Sequence, residues 1–225
     1  MMVTDAKKYA CFYWNRRFHD TKEADTMSKV ISISREFGSG GREIGYRLAQ
    51  KLGIPFYDKE LIEMAAEDSN ISAELFHAND EVIARKERME HQYAPINPFS
   101  PAYEIPVSDQ LFVIQTKIIK QLAQNGPCVI IGRCSDVIVD DVFKVFICAS
   151  LKKRVERLTT LEESHEIDPK KLETQIRAID KKRKEYYQYY SGNEWGKPKN
   201  YDICLNSGVL GIERCVDLIA ELVME

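Results

Sequence analysis

No run of apolar residues in this 225-residue chain approaches the roughly 18 that a membrane-spanning helix needs, so no span is expected. The first 26 residues carry neither an apolar core nor a small-residue cleavage site, and no secretory signal is expected there. Eleven Gly and eight Pro are too few for a collagen-like or low-complexity chain. The six Cys form no C-x-x-C pair, and several lie inside apolar runs such as CVII and VFICAS. Reduced, buried thiols are therefore expected, in place of disulfides or zinc, as in a cytoplasmic protein. Charge of one sign is also missing: 32 Lys and Arg against 35 Asp and Glu leave a net charge of -3. A chain-wide grip on nucleic acid or an acidic membrane is accordingly not expected.

What is present is an alternation of short β-branched runs with amphipathic segments. Strands are predicted at 29–34, 54–57, 127–132, 143–148 and 202–206. Helices are predicted at 41–52, 151–163, 169–190 and 211–223, with another over 108–126. Asp58 is placed to cap a further helix, one more is predicted from Ser72 to about Glu90, and the four prolines of 93–107 mark a loop. Strands buried on both faces and joined by helices point to an α/β fold with a parallel sheet. Residues 1–26 show no period and read as a weakly attached extension, with Met27 opening the domain that runs to 225. The long connection between the second and third strands reads as a helical insertion over the sheet edge.

Three segments carry chemistry. SREFGSGGREIG follows the first strand and precedes a helix, a layout that turns backbone N–H groups toward a phosphate. Its residues Gly38, Ser39, Gly40, Gly41, Arg42 and Glu43 are the candidate phosphate loop. A G-x-G-x-x-G fingerprint fails because position 43 is Glu, although Asp58 would mimic that motif's ribose-binding acid. A G-x-x-x-x-G-K-[ST] pattern aligned on Gly41 has Glu36 for its first Gly, Arg42 for its Lys and Glu43 for its hydroxyl. The second segment is Gly132–Arg133, at the carboxyl end of the third strand, where open α/β sheets bind ligands. The third is the run Arg177, Asp180 and Arg183, expected to share roughly one helix face. Residues 169–185 hold seven basic residues against three acidic ones, an excess suited to a polyphosphate.

The order SREFGSGGREIG, PFYDKELI, CVIIGRCSD and R-x-x-D-x-x-R-x-x-YY…W…YDICLNS resembles the cytidylate kinase-like family of P-loop nucleoside monophosphate kinases over about 28–223. The resemblance implies a three-layer P-loop kinase fold with a five-stranded parallel sheet. It also implies an acceptor-binding insertion at 58–125 and a lid around 160–197. It implies ATP and Mg²⁺ as donor and cofactor, and CMP or dCMP as the small-molecule acceptor. Arg42 would then hold the donor's β/γ oxygens and Glu43 would face the metal. Arg177 and Arg183 would close over the transferring group, with Asp180 orienting them. Asp58, Gly132 and Arg133 would bind the acceptor. Cytidylate kinases carry Gly-Lys-Gly-Thr in the loop and Asp-Gly-Arg-Asp after the third strand. This chain has Gly41-Arg42-Glu43-Ile44 and Ile131-Gly132-Arg133-Cys134. Two other readings follow from those differences: a regulatory nucleotide-binding protein without turnover, and a kinase for another small phosphate acceptor.

Overall fold

Apolar residues on both faces of a strand demand a cover on each side, and the structure supplies two. The structure is a computed structural model and describes residues 30–58, 107–161 and 169–224. Five strands form one sheet: β1 (Val30–Arg35), β2 (Phe56–Tyr57), β3 (Val129–Ile131), β4 (Val142–Cys148) and β5 (Ile203–Asn206). Their spatial order is β2-β3-β1-β4-β5, and every pairing is parallel. The central strand is β1, whose Ile33 lies opposite Ile131 on one side and Val145 on the other. All five strands fall where the apolar runs predict them. The second keeps only Phe56 and Tyr57 in the ladder, because Pro55 contributes its carbonyl to Val129 and has no N–H to give.

The helices are α1 (Gly41–Leu52), α2 (Val107–Gln124), α3 (Ser135–Ile138), α4 (Leu151–Leu161), α5 (Pro169–Ser191), α6 (Ser207–Leu210) and α7 (Ile212–Met224). Helices α1 and α7 cover one face. Ile44, Leu48 and Ala49 of α1, with Val216, Ile219 and Ala220 of α7, pack on Ile31, Ile33, Val145 and Ile147. Helices α2 and α5 cover the other, where Ile119, Tyr186 and Tyr187 meet Val30, Ile130 and Val142. Each fully buried Ile removed from water contributes roughly 2 kcal/mol of transfer free energy, so this double cover is what holds the sheet. Gly45 lets α1 lie close to the strands, since a Cβ there would sit 2.6 Å from the Ile131 Cδ1.

Helix α1 stops where the sequence says it should. Gly53 takes the left-handed conformation, φ 67°, and its N–H returns to the Gln50 carbonyl. The short helices α3 and α6, with a 3₁₀ turn at Pro198–Asn200, lie in segments for which no helix was predicted. The extension at 1–26, the helices expected after Asp58 and Ser72, and the proline-rich loop lie outside the described residues. Among the described residues, no helix is long and apolar enough to cross a membrane.

Candidate functional site

The chain leaves β1 at Arg35 and enters α1 at Gly41, so residues 36–40 form the connecting loop at the carboxyl edge of the sheet. This loop is tied down from every side. The Glu36 N–H donates to the Ile147 carbonyl at 3.0 Å, while its carboxylate accepts from the Ala149 N–H at 2.9 Å. The Ser207 hydroxyl donates to the Ser39 carbonyl at 2.5 Å. The Phe37 N–H donates to the Asp180 carboxylate at 2.7 Å, and Arg154 donates to the Phe37 carbonyl at 3.3 Å. Gly38 and Gly40 both have positive φ, 78° and 83°, and each is pressed by side chains. A Cβ on Gly40 would meet Ile212 Cδ1 at 2.5 Å. Only glycine satisfies both demands there.

Gly40 is the N-cap of α1 and offers no side-chain cap. The first-turn amides of α1 therefore lack partners inside the helix and carry the positive end of its dipole. Beside the loop lies a cleft of about 320 Å³, walled by Lys153, Arg157 and Thr160 of α4 and by Ser207 and Gly208. A second, smaller cavity of about 20 Å³ lies at the loop's stem, between Arg35, Arg133, Arg183, Tyr187 and Trp195. Gly132, Arg133 and Cys134 are all left-handed, with φ of 67°, 58° and 57°. For the two non-glycine residues this costs roughly 1–2 kcal/mol each, and the turn that results carries the Arg133 side chain inward to 6% exposure.

The structure brings some of the sequence candidates together and separates others. Asp180 and Arg183 lie against the glycine loop: Arg183 donates to the Arg35 carbonyl at 3.2 Å and stacks over the Phe37 ring at 5.6 Å. Arg177 is solvent-exposed, so the three do not share one face. Steps of three residues turn about 300°, and two of them leave Arg177 and Arg183 about 120° apart around α5. Arg42 points away from the loop. Its Nε donates to Asp58 at 2.6 Å, with the Arg42 side chain 64% exposed and that of Asp58 7%. This pair ties α1 to the end of β2, and it places neither residue in the cavity beside Arg133.

Glu43 is bonded by both Arg47 and Arg157. Partial burial pushes its carboxyl up, but hydrogen bonds and charge from Arg157 and Arg47 outweigh this and hold it below the usual carboxylate range. A carboxylate already committed to two guanidiniums does not fit the role of magnesium ligand expected for it. Among the described residues no group of three His, Cys, Asp or Glu could hold a metal.

Three residues of the site were not singled out from sequence. Arg154 is 8% exposed and binds Asp180, and Arg157 reaches Glu43. Both come from LKKRVERL, where a one-turn spacing of arginines after the fourth strand was the available signal. Arg35, the third, stands at the end of the first strand within the glycine-rich motif itself.

One buried acid supports the second cavity. Asp136 is 1% exposed and accepts from the Tyr187 hydroxyl at 2.6 Å. Burial pushes its carboxyl above the usual range, against the pull of that hydrogen bond and of Lys144. A carboxyl whose pKa is higher in the folded than in the unfolded chain stabilises the fold fully below the unfolded value. That contribution disappears as pH rises through the folded one. Asp136→Asn keeps an acceptor for Tyr187 and cannot ionise. Urea titrations across acid to neutral pH are expected to show the variant gaining on the wild type as pH rises. A difference independent of pH would mean that Asp136 does not ionise in this range.

The profile of the cytidylate kinase-like family matches residues 30–209. No functionally curated protein matches the chain. Among solved structures, it is similar to an uncharacterized protein from Eubacterium ventriosum, with 24% identity and a TM-score of 0.65 over 87% of this chain and 98% of that one. It is also similar to a shikimate kinase from Bacteroides thetaiotaomicron, at 17% identity and TM-score 0.51 over 88% and 99% of the two chains. A shikimate kinase from Acinetobacter baumannii, solved with shikimate, gives 12% identity and 0.50 over 91% and 97%. These likenesses establish a three-layer P-loop kinase fold around a five-stranded parallel sheet.

Proposed function

The chain belongs to the cytidylate kinase-like family, and from that premise we propose that it transfers the γ-phosphoryl group of ATP to a nucleoside monophosphate, with CMP and dCMP as the leading acceptors. The observation that carries this reading is a pair of cavities served by one strand–loop unit, one lined by Gly38 and Ser39 of the glycine loop and the other by Ser34 and Arg35 of its stem. The larger cleft, with Lys153 and Arg157 in its wall, suits a nucleoside triphosphate whose phosphates run toward the uncapped start of α1. The smaller cavity, with Arg133 and Arg183, suits the acceptor's phosphate.

Phosphoryl transfer asks the protein for position and charge neutralisation, with little covalent chemistry. An acceptor phosphate oxygen attacks the γ-phosphorus in line. The bond to the β–γ bridging oxygen breaks, and ADP departs with that oxygen and its charge. Arg133 holds the acceptor phosphate, and Arg183 lines the same cavity while donating to the Arg35 carbonyl. Asp180 positions the loop by accepting the Phe37 N–H. Arg177 is exposed on α5 and lines neither cavity.

The test is the full chain with ATP, Mg²⁺ and a panel of nucleoside monophosphates, following ADP. ADP that depends on CMP or dCMP is the expected result. A second reading, a kinase for another small anionic acceptor, is favoured by Cys134, which stands where the family's cytidylate kinases have an acid after the arginine. ADP release with only non-nucleotide acceptors would select it. Tight ATP binding with no acceptor-dependent ADP would select a regulatory role.

A further inference from the structure

Backbone conformation sets the register of the glycine loop, and that register moves the cation. In a strand–G-x-x-x-x-G-K-[ST]–helix motif the second Gly closes the loop and the Lys opens the helix. Here the closing residue is Gly40, left-handed and N-cap of α1, and the helix opens at Gly41. Counting from Gly40 puts Arg35 in the place of the first glycine and Gly41 in the place of the lysine. The motif's glycine and its cation have exchanged positions. We propose that Arg35, delivered from the end of β1, is the cation that engages the transferring phosphoryl group in this protein. The inference rests on the phosphotransfer reading above and adds the residue that takes over the lysine's task.

Contacts along the Arg35 side chain support the exchange. A Cβ on Gly41 would lie 2.5 Å from the Arg35 Cβ and 3.0 Å from its Cγ. A Cβ on Gly132 would meet an Arg35 terminal nitrogen. The stem of Arg35 therefore lies over Gly41, and its guanidinium reaches the Gly132 turn. Both glycines make room for it. That path carries a positive charge from the donor loop to the cavity of Arg133 and Arg183. Arg35, Arg133 and Arg183 all line this cavity, and a phosphoryl group shared between donor and acceptor is an anion that guanidiniums bind through paired N–H donors. Arg42 stands at the motif's hydroxyl position, with its side chain drawn to Asp58.

Isothermal calorimetry of the full chain with ATP, for wild type, Arg35→Ala, Arg35→Lys and Arg42→Ala, tests the inference. Arg35→Ala is expected to weaken ATP binding about tenfold or more, the scale of a lost charge-assisted hydrogen bond, and Arg42→Ala by less than about threefold. Arg35→Lys is expected to recover part of the loss, and it carries the comparison should the alanine variant fail to fold. Wild-type affinity in Arg35→Ala, or a larger loss in Arg42→Ala, would overturn the inference. Absence of ATP binding by the wild type would overturn the phosphotransfer reading itself, and the inference with it, before any substitution is considered.

Discussion

Asp180→Ala is expected to destabilise the protein by about 2–3 kcal/mol and to cut turnover at the same time. The carboxylate serves two groups at once. It accepts the Phe37 N–H inside the glycine loop and pairs with Arg154, whose side chain is 10% exposed. Removal leaves a largely buried guanidinium with only the Glu36 carboxylate, 3.7 Å from its Nε, as counter-charge, and a loop amide without its acceptor. The estimate sits below the range for a fully buried pair because the Asp180 side chain keeps 16% exposure. Asp180→Asn separates the two effects, since the amide oxygen still accepts from Phe37 while the charge is gone. Urea unfolding gives the stability change, and steady-state kinetics give the rest. Wild-type stability in Asp180→Ala would mean that the loop holds its shape without α5.

Arg133→Ala is expected to raise the acceptor KM by about 10²-fold while leaving ATP affinity nearly intact, as the loss of one bidentate phosphate contact would do. Alanine is the right probe because it keeps the Cβ. The left-handed strain at φ 58° is then the same in both proteins, whereas glycine would relieve it and mix a stability gain into the kinetics. Initial rates with each substrate varied in turn, together with ATP calorimetry, check the split. Equal losses for donor and acceptor would remove Arg133 from the acceptor half-site.

The five strands were legible because each is an apolar run short enough for a strand and covered on both faces. The long helices were legible from period and from stops such as Gly53. Helices α3 and α6 span four residues each, barely one turn, and a single turn has no period to read. The register of the glycine loop was hidden for a different reason. Gly40 and Gly41 are adjacent and chemically identical, and only the backbone tells which one closes the loop. On the register proposed above, that single step moves the cation's place from Arg42 to Arg35. Arg154 was hidden because the first turn of α4 holds Lys152, Lys153 and Arg154 in succession, and sequence does not say which of three neighbouring cations turns inward. For Glu43 the missing information was its partners: the acid was visible, Arg157 from α4 was not.

The contact between Arg35 and Gly41 has an evolutionary consequence. Passing from this loop to one with a helix-opening lysine requires two substitutions, and neither can come first without loss. A lysine at 41 beside Arg35 would force its Cβ to within 2.5 Å of another Cβ. A glycine at 35 beside Gly41 would leave the loop with no cation of its own. Gly132 adds a weaker third link: a side chain there would displace the flexible end of the same arginine and strain a backbone at φ 67°. The arginine and the glycines are thus sterically linked, and a side chain at Gly41 requires Arg35 to shift or change. Descendants of this chain should keep the arginine and both glycines as a linked set, or change them together.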